Sequence, residues 1–472
     1  MPVRLRRKQY RDPRTTPGLW QPVEGPSLPD DSTVHLVLDL ALRVGEVQLA
    51  SGAGAADATA TVMAVAEAYG LPRTEVDVIY TSITVSCHRG TEAAPVTSLR
   101  VVRSRGLDYT RLAAVEDLIR RITSDRVRAP EAYAELDRIT RQPHPYPRWA
   151  ATAAWAGMAA SVAFLVGGGP LLALTAALVT AVVDRVGRVL NRRGVPFFFQ
   201  QVVGGALAAA TALALYATDL LPSVRPSLLV AVGIVVLLSG LSLVGAVQDA
   251  ITGYNVTAAG RTMEIALLTA GLITGIALTL RAGVQFGVPT SIRDPLPPLI
   301  SDVPMQFAAG AATSLFFALA AYSPVRALPI AAAAGAVGTT TYGLLALTGT
   351  NTIACAAAAA TAVGFGGAVV SRRLRTPPLV VAVAGMVPLL PGWTVYRGLY
   401  QLTIDNDAAG LSTLVLAAGT ALALASGVVL GEFLGRPVRS GLGRLERRLA
   451  GPRLSGPPHP SGRRTGGAAD RT

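Results

Sequence analysis

Leu237-Leu238-Ser239-Gly240 returns 152 positions later as Leu389-Leu390-Pro391-Gly392, each inside a long apolar run. Just upstream, Pro226-Ser227-Leu228-Leu229-Val230-Ala231-Val232 is matched by Pro377-Pro378-Leu379-Val380-Val381-Ala382-Val383 at a shift of 151. The apolar sequence therefore repeats itself, and the number of helices in each copy decides the fold. Five spanning helices per copy, an odd number, force the two copies to insert in opposite directions. Many secondary transporters are built this way, with their binding site where the copies meet.

Outward from that pair, the apolar runs begin near Trp149 and are about 17–25 residues long, enough to cross about 30 Å of hydrocarbon. With 472 residues, 51 % hydrophobic, and a mean hydropathy of +0.45, the chain is too apolar for an ordinary soluble enzyme. Ten spans are predicted, at residues 149–166, 170–187, 197–218, 226–249, 262–283, 303–321, 326–347, 350–371, 376–399 and 408–434. Threaded from a cytosolic start, the inner segments collect Arg185, Arg188, Arg192, Arg193, Arg261, Arg326, Arg372, Arg373, Arg375 and the arginines from Arg436 to Arg448. The outer segments carry Asp219, Arg225, Arg293, Asp294, Asp302, Asp405 and Asp407. That asymmetry follows the positive-inside bias, and one helix more or fewer would move Arg372, Arg373 and Arg375 outside. Both termini are thus expected in the cytoplasm of a bacterial cell, with the chain in its plasma membrane.

The net charge of +13 does not argue for nucleic acid, because the basic residues sit at the ends of apolar runs and in the tail. Lys8 is the only lysine, a bias that reflects genome composition more than guanidinium chemistry. Cys87 and Cys355 lie in different regions, which supports neither a disulfide framework nor a metal site, and no cofactor is expected. The basic N-terminus lacks the apolar segment of a secretory signal.

Proline and glycine in the middle of a span are tolerated where protein or a water-filled cavity receives the freed backbone groups. Pro388, Pro391 and Gly392 lie about 16–22 Å into the ninth span, and Ser239 and Gly240 at a similar depth in the fourth. Broken helices at the midplane expose helix ends, N–H groups suited to a carboxylate and carbonyls suited to an ammonium. A zwitterionic amino acid fits such a pair of ends, with Ser239, Ser242, Thr394 or Tyr396 available to a substrate hydroxyl. The competing reading is that these are proline kinks and small-residue helix contacts. Among ionisable residues, Asp249 and Glu264 flank the short 253–257 connection and are candidates to carry a coupling proton.

The chain divides into a disordered arm (1–31), a cytosolic α+β domain (32–142), one transmembrane repeat of five helices (149–283), a second (303–434), and a disordered cytosolic tail (435–472) that touches anionic headgroups. In the α+β domain, helical stripes over 34–44 and 55–69 precede two β-rich runs, 76–86 and 96–103, read as paired strands separated by Arg89-Gly90. Helices return at 109–122 and 130–140. Glu46 and Asp108, beside the strand hydroxyls, could bind a small polar ligand or activate water, although Thr and Ser also populate strands for their β-propensity alone. No nucleophile elbow, P-loop or metal spacing is present, and Cys87 and His88 point to opposite faces of a strand.

Gly45-Glu46, Ser51-Gly52-Ala53, the Thr81-Ser82-Ile83-Thr84 strand, Arg103-Ser104-Arg105 and Gly385-Met386-Val387-Pro388-Leu389-Leu390-Pro391-Gly392, in front of and within ten spans, resemble the bacterial threonine/serine exporter family over residues 33–436. The resemblance implies export of L-threonine and L-serine driven by the proton motive force, with protons and membrane lipid as further partners, and it is compatible with a homo-oligomer. Related two-protein systems export dicarboxylates, so a succinate-like substrate is one alternative. A membrane-tethered ligand sensor or hydrolase in the N-terminal domain is the other.

Overall fold

The structure is a computed structural model, and it describes residues 29–88, 94–103, 106–124, 127–218, 226–237, 240–286, 300–374 and 378–435. Most of the N-terminal arm, the tail from residue 436, most of the segment joining the repeats, and Ser239 lie outside the described residues.

The N-terminal part is an α+β unit. Helix α1 (Asp31–Ala50) starts where Asp30 accepts from the Thr33 backbone N–H, one residue before the expected start of the domain at 32. Helix α2 (Ala55–Ala68) follows, then strands β1 (Thr74–Ile79), β2 (Ser82–Cys87) and β3 (Val96–Val101), and helices α3 (Tyr109–Ile122) and α4 (Ala129–Arg141). The strands form one antiparallel sheet in the order β1-β2-β3. Its inner face, Val76, Val78, Ile83, Val85 and Cys87, packs on the apolar faces of α1 and α2. The expected two strands are three, because the 76–86 run folds back on itself at Tyr80-Thr81. Tyr80 takes the left-handed conformation there (φ 53°) with no glycine or asparagine to signal the turn.

Among the described residues, twelve helices form the membrane part: α5 (Arg148–Leu165), α6 (Pro170–Arg192), α7 (Phe197–Thr218), α8 (Pro226–Leu237), α9 (Gly240–Ile251), α10 (Asn255–Gln285), α11 (Val303–Ala320), α12 (Leu328–Leu347), α13 (Thr352–Leu374), α14 (Pro378–Met386), α15 (Gly392–Thr403) and α16 (Ala409–Gly435). Among the described residues, seven helices are long and apolar enough to cross a bilayer, and two bent pairs, α8/α9 and α14/α15, bring the number to nine. The chain is a polytopic helical membrane protein. Helix α5, 18 residues opening on Arg148-Trp149, is less apolar than these. Helix α10 begins at Asn255, earlier than the expected 262, because its first two turns face the N-terminal domain and their polar residues find partners there.

Packing follows a regular scheme. In residues 148–285, α5 lies on α6, α7 on α10 and α9 on α10; in residues 303–435, α11 lies on α12, α13 on α16 and α15 on α16. Between these halves, α5 meets α11, α8 meets α15, α9 meets α14 and α16, and α10 meets α15. Exchanging each helix for its counterpart in the other half reproduces every one of these contacts. The first segments of the bent pairs are closely enclosed: Leu228–Val232 and Val380–Ala384 are each at most 2 % exposed.

Candidate functional site

The break between α14 and α15 follows from two prolines. In a continuous helix the Ala384 carbonyl would accept from the N–H of residue 388, and the Val387 carbonyl from residue 391; both positions are proline and have no N–H to give. Ser314 of α11, fully buried, donates its hydroxyl to the Ala384 carbonyl at 2.7 Å. Val387 accepts instead from Leu390 N–H at 3.3 Å in a 3-10 turn, Val387–Leu389. The backbone then turns extended at Leu390 (ψ 136°), and α15 restarts at Gly392 with its axis bent 44° from the first segment. The Gly392 N–H donates to the Leu390 carbonyl at 2.8 Å, and the N–H groups that follow carry the positive end of the helix dipole.

Gly392 is there because nothing larger fits. A Cβ at this position would run into the Val235 side chain and lie 2.9 Å from the Ala231 carbonyl oxygen, both on α8. The first turn of α15 is therefore seated on the first segment of the other broken helix. Beyond it, Trp393, Tyr396 and Tyr400 form a ladder with ring centroids 5.9 and 6.2 Å apart. Tyr396 is buried and Thr394 half-buried.

The helical segments Ser227–Leu237 of α8 and Ser242–Ile251 of α9 lie at 52° to each other. The Leu237 carbonyl, at the end of α8, accepts from the Gln201 side-chain amide of α7 at 3.4 Å. Gly240 opens α9, and Ser242 is half-buried on its first turn. Pro388, Pro391, Gly392, Thr394 and Tyr396 thus gather at one break that abuts α8, with Gly240 and Ser242 at the other. Ser314 and Gln201, which receive the freed carbonyls, were not among the expected residues. Pro388 announces that Ala384 needs a donor, but a sequence alone does not say which helix supplies it.

Asp249 and Glu264 lie elsewhere. Asp249 is nine residues into α9, about 13 Å along it from Gly240. It is wholly buried and pairs with Arg261 of α10 at 2.9 Å. Its other oxygen accepts from Ala55 N–H, at the start of α2, at 2.6 Å, while Arg261 donates to the Ala53 carbonyl at 2.9 Å. Gly54 lets the α1–α2 turn approach this closely, since a Cβ there would lie 3.0 Å from Gln248. Gln248 donates to Asp57 at 2.7 Å, and Tyr254 to Thr59 at 2.9 Å. The β1–β2 turn grips the same hairpin: Thr257 accepts from Tyr80 N–H and donates to the Val78 carbonyl, and the Tyr80 hydroxyl donates to Glu264 at 3.2 Å. Arg261, expected only as one more inner arginine, is the charged centre of this joint. The legible signal was a lone Asp and a lone Arg flanking one short helical hairpin.

A second joint holds the domain to the other half. Tyr109 N–H donates to the Ala321 carbonyl at 3.1 Å, and Thr110 donates through its N–H (3.0 Å) and its hydroxyl (2.6 Å) to the Tyr322 carbonyl. The Tyr146 hydroxyl donates to the Ser323 carbonyl at 3.1 Å. His144 stacks on Tyr322 at 4.4 Å and meets Asp108, the N-cap of α3, at 2.8 Å. The Tyr109 ring is fully buried with Met158, Phe317, Ala331, Val380 and Val383 of α5, α11, α12 and α14. That burial pushes its hydroxyl pKa up. Asp108 is thus occupied, and Glu46 pairs with Arg100, which also meets Asp39 at 3.2 Å. Among the described residues no three His, Cys, Asp or Glu side chains gather where they could hold a metal ion.

Comparison with known proteins gives two family matches. The family model described as "Putative threonine/serine exporter" matches residues 39–283, and that described as "Threonine/Serine exporter, ThrE" matches residues 306–434. The two matches meet in the proline-rich segment between the halves. The chain is similar to a "Probable threonine/serine exporter" of Mycobacterium tuberculosis, 41 % identical over 465 residues that cover 97 % of this chain and 86 % of that protein. It is also similar to a "Threonine/serine exporter" of Corynebacterium glutamicum, 36 % identical over 416 residues, 87 % of this chain and 85 % of that protein. No solved structure matches the chain.

Proposed function

The chain belongs to the threonine/serine exporter family, and on that premise we propose that it exports small hydroxy-amino acids, L-threonine and L-serine, by alternating access between two inversely inserted five-helix halves. The observation that carries this reading is the pair of broken helices, each the fourth of its half and each enclosed at the centre, with cross-contacts unchanged when the halves are exchanged. Opposite insertion is supported by the N-terminal domain. It touches the connection between the fourth and fifth helices of the first half (α9–α10) and between the first and second of the second half (α11–α12). Those connections lie on one membrane face only if the halves run in opposite directions. With α5 as the first span, the helices number ten and the arginine-rich ends share the domain's side.

Substrate binding is assigned to Ser239, Gly240 and Ser242 at one break and Pro388, Pro391, Gly392, Thr394 and Tyr396 at the other. The α15 N-terminus suits the carboxylate, freed carbonyls the ammonium, and a hydroxyl among these side chains the substrate hydroxyl. Coupling to the proton motive force falls to Glu264 more readily than to Asp249, which already serves an ion pair and a helix cap. A dicarboxylate substrate calls for a fixed cation facing the breaks, and Arg397, the nearest candidate, is exposed on the outer side of α15. Hydrolysis in the N-terminal domain is disfavoured because Glu46 and Asp108 are each taken up in structural pairs.

Efflux from dipeptide-loaded cells lacking their own exporters tests the reading, with threonine, serine and succinate compared with and without an uncoupler. Threonine and serine efflux that the uncoupler abolishes, and that Gly392→Leu eliminates, is expected. Succinate efflux alone, or threonine efflux indifferent to Gly392→Leu, would refute it.

A further inference from the structure

Tyr109 belongs to the N-terminal domain by sequence and to the membrane domain by packing. It is the first residue of α3, yet its ring sits in the apolar cluster of α5, α11, α12 and α14, and its hydroxyl has no hydrogen-bond partner among the described residues. An unpaired buried hydroxyl makes a docked state less stable than phenylalanine would, so this contact is weakened at its tip. The rest of the joint consists of hydrogen bonds to the carbonyls of Ala321, Tyr322 and Ser323, the His144–Tyr322 stack and the buried Leu112 side chain. Water can replace the hydrogen bonds at little net cost. The other joint is different in kind, since the domain reaches the buried Asp249–Arg261 pair of the α9–α10 hairpin through charge-assisted hydrogen bonds, from Ala55 N–H to Asp249 and from Arg261 to the Ala53 carbonyl, which are stronger than neutral ones. The domain therefore has one firm attachment, to α9 and α10, and one that releases easily.

What the releasable side covers is the first segment of α14, immediately before the Pro388 break. We infer that Tyr109 is a gate residue of the export path, covering the first segment of α14 from the domain side and leaving it during each transport cycle while the α1–α2 turn stays on α9 and α10. This deepens the carrier reading above and rests on it. Movement of α11 and α12 against α9 and α10, which alternating access requires, pulls on this joint first.

The test uses the full chain in inside-out vesicles, with Cys87 and Cys355 replaced by serine and Val380→Cys as reporter, labelled by a membrane-impermeant maleimide. Val380 is fully buried on α14 in the docked state. Tyr109→Phe keeps the ring and removes the orphan hydroxyl, so labelling and threonine flux should both slow, by about tenfold if the hydroxyl costs its usual amount. Tyr109→Ala removes the covering ring and should speed labelling by at least about tenfold. Opposite signs from the two substitutions are not what a folding defect gives. Labelling in Tyr109→Phe at or above the parent rate, or in Tyr109→Ala unchanged from it, would overturn the inference. Parent vesicles without threonine or serine flux would sink the exporter reading, while the labelling rates would still decide the gate.

Discussion

Neutralising one partner of the Asp249–Arg261 pair should loosen the N-terminal domain far more than neutralising both. At 2.9 Å the attraction is about 6 kcal/mol at an effective dielectric of 20. Taking two ions out of water costs several kcal/mol each, so the intact pair is worth little net. Asp249→Asn keeps an acceptor for Ala55 N–H but leaves Arg261, about 3 % exposed, as an uncompensated buried cation, at a cost of about 3–5 kcal/mol. Arg261→Met strands Asp249 at a similar cost. The double variant buries no charge, so its loss should be smaller than that of either single variant. The assay is hydrogen exchange at the start of α2, where the Ala55 amide is held by Asp249. A loss of 3–5 kcal/mol in local opening accelerates exchange there between about a hundredfold and a few thousandfold. The reasoning fails if Asp249→Asn changes that exchange by less than tenfold, or if the two single effects simply add in the double variant.

Other perturbations have equally definite outcomes. Gly392→Ala should destabilise the purified protein by about 1–3 kcal/mol through overpacking on α8. Val235→Ala should restore only part of it, because the Ala231 carbonyl is backbone; full rescue in thermal unfolding would contradict the geometry. Ser314→Ala leaves the Ala384 carbonyl without its donor and should lower stability by about 1–3 kcal/mol, whereas Ser314→Thr should retain most of it; equal losses would remove Ser314 from the break. Burial pushes the Tyr69 hydroxyl up to about 12, with Glu131 adding to it, and raises Tyr109 as well. The fold favours the neutral phenols, so this stability is complete below pH 10 and is lost as pH rises through about 12. Tyrosinate absorbance with an ordinary midpoint near 10 for every tyrosine, and no alkaline fall in thermal stability, would refute it.

Much of this architecture could be read from the chain alone. Span positions follow from runs of apolar residues, and the break in 376–399 follows from Pro388 and Pro391, which have no N–H wherever they sit; 226–249, with no proline beyond Pro226, is legible only as the repeat of that run. Both properties belong to the residues themselves and need no neighbour. The reversal at Tyr80 was hidden because a tyrosine occupies the left-handed position where a glycine or asparagine is expected. Likewise, no local pattern says that Ser314, 70 residues before Ala384, closes the gap left by Pro388, that Arg261 meets Asp249 beneath the α1–α2 turn, or that Tyr109 leaves its own domain for a socket between membrane helices. A hydrogen bond or an ion pair needs a second atom within about 3 Å, and only the packing of helices distant in sequence decides which atom that is.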